Sequence, residues 1–465
     1  MDCAPVMVMA GGRGARLGPL ACHRAKPAMP IAGRYRLIDF VLSNLLNSGY
    51  RRIYLLTQFM ASSLIRHMSH GWRMSGPDEF IEVVPAQMRS GESWYQGTAD
   101  SVYQNLHLVE RSAAENIAVF GSDHIYTFAV DQMEEAHRAL DADLTVAAFP
   151  VPRAEAHRFG VIQVDDRGRI TGFQEKPAAP TPVPGQPDTC LVSMGNYVFR
   201  TPVLQEALRT DALDDASAHD FGRDIIPRLI REGAGVFAYD FRQNRIPGAP
   251  PGALPYWRDV GTIDSYFDAN MDIRSPVPPI DLYNNEWRIR TAQRHYPPAR
   301  FVRHGGDGPA ADVIDSMVCE GSIVASATLE QAVVGYDCRV HAGASIEDSV
   351  ILSGCEVGSG AHLRRVLMDK DCSIEPGVRI GHDPAADRER FPFVSERGVV
   401  VLPKGTRVPR VGPIQLAADL ARMLCNDPAT RERMDLFEGS YSVDEPGRGG
   451  RRSLGARCRR LSAGR

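Results

Sequence analysis

Short apolar runs alternate with helical patterns through the first 275 residues of the chain. Residues 39–48 have the spacing of an amphipathic helix, and the apolar runs lie at residues 5–10, 51–58, 114–124 and 143–151. Strands and helices that alternate at this spacing are typical of a mostly parallel sheet covered by helices. Because such sheets bind ligands at the carboxyl ends of their strands, we expect functional residues to follow the strands.

A different pattern occupies residues 316–383, where aliphatic residues recur every 17 positions. Three columns keep this spacing: Met317, Val334, Ile351 and Met368; Ile323, Val340, Val357 and Ile374; Leu329, Ile346, Leu363 and Ile380. Within a period the columns are six, six and five positions apart, which is typical of a hexapeptide solenoid with triangular coils. Three cysteines also recur 17 apart and are predicted to be small buried side chains: Cys338, Cys355 and Cys372.

These patterns divide the chain into four segments. Residues 1–275 are predicted to form a Rossmann-like α/β domain, and residues 276–315, which contain two proline clusters, a linker. A left-handed β-helix is expected at residues 316–404. In residues 405–465 we expect a short helix at residues 415–424 and then a disordered Arg/Gly-rich tail.

The composition excludes several classes of protein. A hydrophobic fraction of 43% and a charged fraction of 24% in 465 residues are those of an ordinary globular protein. A net charge of -4 argues against a surface built to hold nucleic acid or anionic membrane, although a small anionic ligand is allowed. The nine cysteines form no CxxC pair, the start is not signal-like, and no apolar run could span a bilayer. We therefore expect a cytoplasmic protein without a zinc site.

A glycine-rich turn follows the first apolar run. In MAGGRGARL, residues 9–17, glycines let backbone amides approach phosphate oxygens and two arginines add positive charge. The turn matches neither the P-loop nor the dinucleotide fingerprint. RAKP follows at residues 24–27, so Lys26 can reach the same phosphates. Lys26 is one of only four lysines among 53 Lys and Arg residues, which hints at a role that arginine cannot fill.

Nine motifs, taken in order, resemble the bacterial glucose-1-phosphate adenylyltransferase family, and the resemblance runs from about residue 5 to residue 400. The motifs are MAGGRGARL (9–17), HRAKPAMPIAGRYRLIDF (23–40), PAQMRSGESWYQGTADSVYQN (85–105), SDHIY (122–126), RFGVI (158–162), FQEKP (173–177), SMGNYVF (193–199), HDFGRDIIP (219–227) and PYWRDVGTIDSYFDANMD (255–272). The terminal hexapeptide solenoid is also a feature of that family.

The resemblance implies a nucleotidyltransferase domain in which glucose 1-phosphate attacks the α-phosphorus of ATP, giving ADP-glucose for glycogen synthesis and pyrophosphate. It implies that Asp123 and Asp259 hold Mg²⁺, and that Lys26 and Arg16 bind the triphosphate. Positioning and neutralisation of charge are the main requirements of such a reaction. The loop implied to wrap the phosphates consists of Gly11, Gly12, Arg13 and Gly14.

The remaining implied contacts belong to the sugar phosphate and the base. Lys176 is implied to pair with the phosphate of glucose 1-phosphate and Glu175 to reach sugar hydroxyls. The further sugar-phosphate positions are Tyr95, Gly160 and Ser193, and the base positions are Gln87 and Gly97. We assign His219 and Asp220 only a capping role.

Some positions depart from the family pattern. Ala15 stands where many relatives have a hydroxyl residue, and Ser122 replaces a common glycine before Asp123. His23 occupies a position that is lysine in relatives activated by fructose 1,6-bisphosphate, so the activator is open. Candidate contacts for an anionic effector between the domains are His23, Arg24, Arg51 and Arg52.

The resemblance also implies an allosterically regulated homotetramer assembled partly through the solenoid. Three alternatives stay open at this point: a nucleotidyltransferase that uses UTP, GTP or dTTP, a non-catalytic regulatory paralogue, and a hexapeptide acyltransferase. The acyltransferase alternative leaves the first 275 residues unexplained.

Overall fold

The predicted apolar runs form strands of one nine-stranded sheet. The computed structural model describes residues 4–12, 14–76, 78–87, 89, 94–110, 114–305, 307–416, 441–443 and 452–453. The strands of the α/β domain are β1 (Val6–Ala10), β2 (Pro30–Ile31), β3 (Tyr35–Arg36), β4 (Arg52–Thr57), β5 (Phe80–Pro85), β6 (Asn116–Gly121), β7 (His124–Tyr126), β8 (Leu144–Pro152), β9 (Gly160–Val164), β10 (Ile170–Glu175), β11 (Thr189–Arg200), β12 (Val236–Asp240) and β13 (Trp257–Asp259).

Helices cover both faces of this sheet. They are α1 (Leu37–Asn47), α2 (Ser62–Gly71), α3 (Thr98–Tyr103), α4 (Val130–Ala139), α5 (Arg153–Ala156), α6 (Thr201–Asp211), α7 (Ile226–Arg231) and α8 (Ile263–Arg274). Short 3-10 helices add Ala15–Ala21, Lys26–Ala28, Leu106–Leu108 and Phe241–Gln243, and Phe221–Ile225 is π-helical. The strand order is β10-β9-β11-β6-β1-β4-β5, with β8 beside β11 and β12 beside β8.

The strand directions confirm the predicted Rossmann-like, mostly parallel sheet. β1, β4, β5, β6, β8, β9 and β12 run one way, and only β10 and β11 run the other way. Two apolar clusters fill the sheet's faces, one around Phe120 and Phe128 and the other around Phe199 and Phe221. The carboxyl ends of β1, β4 and β6 meet at one edge, where the next residues are polar or glycine.

The second domain is a column of short parallel strands. They are β14 (Arg300–Val302), β15 (Asp312–Ile314), β16 (Met317–Val318), β17 (Ile323–Ala325), β18 (Thr328–Val334), β19 (Arg339–Val340), β20 (Ser345–Ile351), β21 (Glu356–Val357), β22 (His362–Arg364), β23 (Val366–Met368), β24 (Ser373–Ile374), β25 (Arg379–Ile380), β26 (Val400–Leu402) and β27 (Arg407–Val408). Pairs such as Leu329 with Ile346 and Val340 with Val357 confirm the 17-residue stacking. The arrangement is consistent with a left-handed β-helix.

The structure differs from the prediction at the start of two of the columns. Val318, not Met317, pairs with Val334, and Val324, not Ile323, pairs with Val340. The assignment of Met317 and Ile323 to the columns is therefore wrong. The reason is a spacing of five rather than six residues between Val324 and Leu329, which shifts the preceding strands by one position.

The column extends beyond the predicted limits at both ends. β14 pairs with β17 and β15 with β18, so the first coil starts at Arg300 rather than at residue 316. After β27, the strand β28 (Ile414–Leu416) pairs with it in the opposite direction. Residues 415 and 416 are thus in a strand rather than in the predicted helix, and residues 417–424 lie outside the described part. Of the predicted tail, only β29 (Tyr441–Val443) and β30 (Arg452–Ser453) are described.

An insertion interrupts one corner of the column. Ile380 stacks on Leu363, and Val400 stacks on Val366. The chain between them contains the helix α9 (Pro384–Arg390) and then returns to the α/β domain, where Ser395 donates a hydrogen bond to Asp264 Oδ1 at 2.5 Å. The insertion therefore contacts the first turn of α8.

The two domains share one apolar cluster. Leu17, Phe40 and Tyr266 of the first domain are buried together with Val334 and Ile351 of the column. The segment predicted as a linker is fastened to α1, because Trp287 Nε1 donates to Asn44 Oδ1 at 3.0 Å and the Thr291 hydroxyl to Asp39 Oδ2 at 2.6 Å. It therefore packs against the α/β domain.

The predicted column of thiols is buried. Cys338, Cys355 and Cys372 are each 1% exposed and each is a free thiol, as expected for small side chains inside the coils. Among the helices of the described residues, none is both long enough and apolar enough to cross a bilayer.

Candidate active site

A cavity of about 510 Å³ opens at the carboxyl ends of β1, β4 and β6. Gly11 follows β1, Gln58 follows β4, and Ser122 and Asp123 follow β6, and all four residues line it. The Ser122 hydroxyl donates to the Met9 carbonyl oxygen at 2.6 Å, which joins the ends of β6 and β1. The cavity thus lies at the sheet edge where the strand pattern predicts a ligand.

Three predicted residues meet at the base of this cavity. Lys26 Nζ donates to Asp123 Oδ2 at 2.8 Å and to Asp259 Oδ1 at 3.1 Å. Asp259 ends β13, which pairs with β7 so that Asp259 lies opposite His124, the neighbour of Asp123. Asp123 and Asp259 thus contact the same ammonium group, although they lie 97 and 233 positions from Lys26 in the sequence.

All three groups are charged at neutral pH. Burial alone would lower the pKa of Lys26, but the two carboxylates outweigh burial and raise this pKa above its ordinary value. Burial alone would raise the pKa of Asp123 and Asp259, whereas Lys26 and His124 hold both pKa values below the ordinary range. The base of the cavity therefore offers two carboxylates held close together by one cation.

The predicted sugar-phosphate residues line one wall of the cavity. Lys176 Nζ contacts the Glu175 carboxylate, and the ammonium-bearing side chain is 56% exposed. Gly160 must be small, because a Cβ there would lie 2.4 Å from the Phe173 ring. The other predicted residues on this wall are Tyr95 and Ser193.

The predicted nucleotide residues are only partly assembled. Arg16, Gly11, Gly12 and Gly97 line the cavity, and a Cβ on Gly97 would lie 2.2 Å from the His219 carbonyl oxygen. Gly14 adopts a left-handed conformation with φ 66° but does not line the cavity.

Two further predicted nucleotide residues are not placed at the cavity by the structure. Gln87 is exposed and is not among the lining residues, so its contact with the base stays a prediction. Arg13 lies outside the described residues. The predicted capping role of Asp220 is confirmed, because its carboxylate accepts hydrogen bonds from the backbone amides of Gly222 and Arg223.

The predicted effector residues are separated. Arg24 lies at the domain interface, where its guanidinium makes three hydrogen bonds of 2.9 Å to the Asp369 carboxylate of the column. His23 beside it is partly buried. Arg51 and Arg52 lie at the amino end of β4, away from the cavity, and Arg51 pairs with Glu79 at 3.5 Å.

Other cations lie close to Arg24. Arg36 and Arg294 act together with Arg24 on Lys370, in the column. Burial is the largest cause, and with these arginines it lowers the pKa of Lys370 to about 7. The domain interface therefore carries more positive charge than sequence reasoning assigned to it.

Sequence reasoning also missed polar residues in the cavity. Arg158 Nη2 donates to Asp259 Oδ2 at 2.9 Å, and His124 Nε2 lies 3.7 Å from Asp123 Oδ1. Both residues stand in motifs that the resemblance quotes, RFGVI and SDHIY, in which only Gly160 and Asp123 are singled out. The available signal was a charged or titratable residue one or two positions from a predicted site residue, His124 beside Asp123 and Arg158 two before Gly160.

Comparison with known proteins agrees with both domains. Residues 5–275 match the family model described as nucleotidyl transferase, and residues 297–402 match a GlmU-like C-terminal hexapeptide model. The chain is similar to proteins named glucose-1-phosphate adenylyltransferase from Thermus thermophilus (53% identity over 407 residues) and Deinococcus radiodurans (46% over 405). It is also 49% identical over 403 residues to glucose-1-phosphate adenylyltransferase 1 of Vibrio vulnificus. Each alignment covers 86% of this chain and 98% of the relative. The chain therefore belongs to the glucose-1-phosphate adenylyltransferase family of nucleotidyl transferases.

Proposed function

We propose that this protein transfers the adenylyl group of ATP to glucose 1-phosphate and supplies ADP-glucose for glycogen synthesis. The observation that carries the proposal is the joining of Asp123 and Asp259 by Lys26 at the base of the cavity. Gly11 and Gly12 of the glycine-rich turn line that cavity, and so do Glu175 and Lys176. The cavity thus has separate places for a nucleotide and a sugar phosphate on either side of a charged centre.

The reaction is one substitution at phosphorus. A phosphate oxygen of glucose 1-phosphate forms a bond to the α-phosphorus of ATP, and the bond from that phosphorus to the bridging α,β-oxygen breaks. Pyrophosphate leaves with the electron pair. Because one anion attacks another, the protein's task is to align the phosphates and neutralise their charge. Lys26 and Arg16 bind the triphosphate of ATP, and Lys176 binds the phosphate of glucose 1-phosphate.

The two carboxylates fit a Mg²⁺ ion. Asp123 and Asp259 already share a cation, Lys26 Nζ, at 2.8 and 3.1 Å, and they offer hard oxygen ligands. Mg²⁺ prefers one or two protein carboxylates and takes its other ligands from water and phosphate. When bound, the ion supplies neutralisation of charge on the pyrophosphate that leaves. Lys26 is then free to turn from the carboxylates towards the phosphates.

The experiment measures pyrophosphate release by the purified protein with glucose 1-phosphate, Mg²⁺ and one of ATP, UTP, GTP or dTTP. Release with ATP alone is expected. Release with UTP, GTP or dTTP instead of ATP would show that the enzyme transfers a different nucleotidyl group. No release with any of the four nucleotides would indicate a regulatory paralogue. Omission of Mg²⁺ should abolish release.

Regulation by anions at the domain interface is part of the same proposal. Arg24, Arg36 and Arg294 each lie within electrostatic reach of Lys370, and because Asp369 already balances Arg24, the surplus positive charge belongs to the other three residues. Such a surplus supports binding of a phosphorylated or carboxylated metabolite. Addition of fructose 6-phosphate, fructose 1,6-bisphosphate and pyruvate to the assay above identifies an activator by a rise in rate.

A homotetramer in the cytoplasm completes the proposal. The first coil of the column exposes apolar side chains, with Phe301 51% and Ile314 45% exposed, and such a patch supports contact with further copies of the chain. Light scattering during size-exclusion chromatography should give four times the mass of the chain, and a monomer at micromolar concentration would contradict the assembly.

A further inference from the structure

We propose that Arg158 binds the attacking phosphate of glucose 1-phosphate, and that it exchanges the Asp259 carboxylate for this phosphate when the substrates enter. The inference rests on the proposed adenylyl transfer and assigns a further substrate contact within it. Arg158 lines the cavity wall, and the motifs assign it no role.

The position of Arg158 is fixed by its neighbours. Its backbone amide donates to the Glu155 carbonyl oxygen at 3.2 Å in the turn that follows α5, and its guanidinium carbon lies 5.7 Å from the centre of the Phe159 ring. Phe159 packs against Trp257, two positions before Asp259. The side chain is 23% exposed and lines the cavity, so an entering substrate can reach it.

The sugar-phosphate wall is joined to the Arg158 turn. The Lys176 amide donates to the Phe159 carbonyl oxygen at 3.0 Å, and Gly160 begins β9 opposite Glu175 of β10. Arg158 therefore joins this wall to the Asp259 carboxylate at the base of the cavity. A phosphate between Lys176 and the base of the cavity would come within reach of both cations.

The guanidinium has hydrogen-bonding capacity to spare. Its Nη2 donates to Asp259 Oδ2 at 2.9 Å, whereas its Nε is buried and has no hydrogen-bond partner among the described residues. An unpaired buried donor is costly, and a phosphate oxygen would satisfy it. Because the guanidinium fork presents two parallel donors, Arg158 suits a phosphate better than a lysine would.

The charges at the base of the cavity make the exchange favourable. Without substrates, the negative charges of Asp123 and Asp259 are balanced by Lys26 and Arg158. If Asp123 and Asp259 held a divalent cation, that ion would balance their charges in place of Lys26 and Arg158. Both side chains are then surplus positive charges beside an incoming dianion, so each gains a stronger partner than it loses.

The test compares initial rates of Arg158→Ala and Arg158→Lys with those of the wild type. Arg158→Ala should raise the KM for glucose 1-phosphate by about 10- to 100-fold, as loss of a charge-assisted pair predicts, while the KM for ATP changes by less than about threefold. Arg158→Lys should have a KM for glucose 1-phosphate between those of the wild type and Arg158→Ala, because lysine keeps the positive charge but lacks the paired donors of the guanidinium. Arg153→Ala is the matched control: Arg153 is an exposed arginine of α5 that does not line the cavity, and its loss should leave both constants unchanged.

A different role gives a different pattern. If Arg158 only holds Asp259 in place, the Mg²⁺ concentration for half activation should shift and the KM for glucose 1-phosphate should not, which would overturn the inference. Unchanged constants in both variants would overturn it too. A wild-type protein without ATP-dependent pyrophosphate release would remove the proposed reaction and this inference together. Thermal midpoints near that of the wild type check that both variants are folded.

Discussion

Lys26 and Arg24 stand two positions apart, are 7% and 5% exposed, and both pair with aspartates, but Asp123 and Asp369 differ in exposure. The Asp123 side chain that pairs with Lys26 is 34% exposed and faces the cavity. Arg24 and Asp369 are 5% and 0% exposed and are closed within the domain interface. From this difference in access we expect the Asp123 pair to open for a ligand and the Asp369 pair to hold the two domains together.

Removal of a carboxylate from the cavity should give the largest effect. Asp123→Asn leaves one carboxylate for the divalent cation, so we expect the turnover number to fall by about 10³-fold or more while ATP still binds. Steady-state kinetics and equilibrium dialysis with ATP measure the two quantities. Asp166→Asn, at an exposed position outside the cavity, is the control. Turnover within tenfold of the wild type would remove Asp123 from the site.

Asp369→Asn tests the closed pair. It leaves the Arg24 guanidinium buried without its counter-charge, which should destabilise the protein by about 3–5 kcal/mol. The measurement is the thermal midpoint, compared with that of Asp123→Asn, which should stay near the wild type. The double variant Arg24→Met/Asp369→Leu removes both charges and should recover much of the loss. Equal thermal midpoints for Asp123→Asn and Asp369→Asn would contradict a special stabilising role for the interface pair.

Lys176→Ala sharpens the comparison within the cavity. The ammonium group is exposed and reaches one substrate, so its loss should raise the KM for glucose 1-phosphate by about tenfold and leave turnover near the wild-type value. Kinetics with varied glucose 1-phosphate at saturating ATP measure this. Lys404→Ala, which removes another exposed lysine from an ion pair on the column, is the matched control. A fall in turnover without a change in KM would contradict a binding role.

Lys370→Met gives the smallest expected effect and depends on pH. The folded-state pKa of Lys370, about 7, lies below its unfolded value, so above pH 7 the unfolded chain binds a proton that the native protein has lost. The wild type therefore gains stability from this residue as pH rises from 7 towards 10. Lys370→Met should be more stable by roughly 1–2 kcal/mol at pH 6, with a smaller difference at pH 9. Thermal midpoints of both proteins across this range test the sign, and a difference independent of pH would contradict it.

Local patterns predicted most of the fold. Strand and helix positions in the α/β domain followed from apolar spacing, and the 17-residue columns placed three of the coils in register. The columns were wrong at Met317 and Ile323, because a fixed period of 17 residues does not allow for a corner that is one residue shorter. Residues 415 and 416 were assigned to a helix because the pairing partner of β28 is not apparent from that segment alone.

The site was predicted less evenly. Asp123, Lys26 and Asp259 were found because each stands in a motif, and the structure supplied their convergence. Arg158 was missed because its partner Asp259 lies 101 positions away in the chain, and the motif around Gly160 does not indicate that contact. The pairing of Arg24 with Asp369 joins residues 345 positions apart, and no local pattern specifies which buried carboxylate meets which cation.

Because of the insertion after β25, the length of the column cannot be calculated from its number of residues. Met368 pairs with Ile351 across 17 positions and with Leu402 across 34, so the added segment has the length of one whole coil. The aliphatic columns resume in phase, and a repeat count by sequence alone would include a coil that does not exist. Since each coil adds one strand spacing, about 4.8 Å, the column is shorter by that amount than the same residues would give without the excursion.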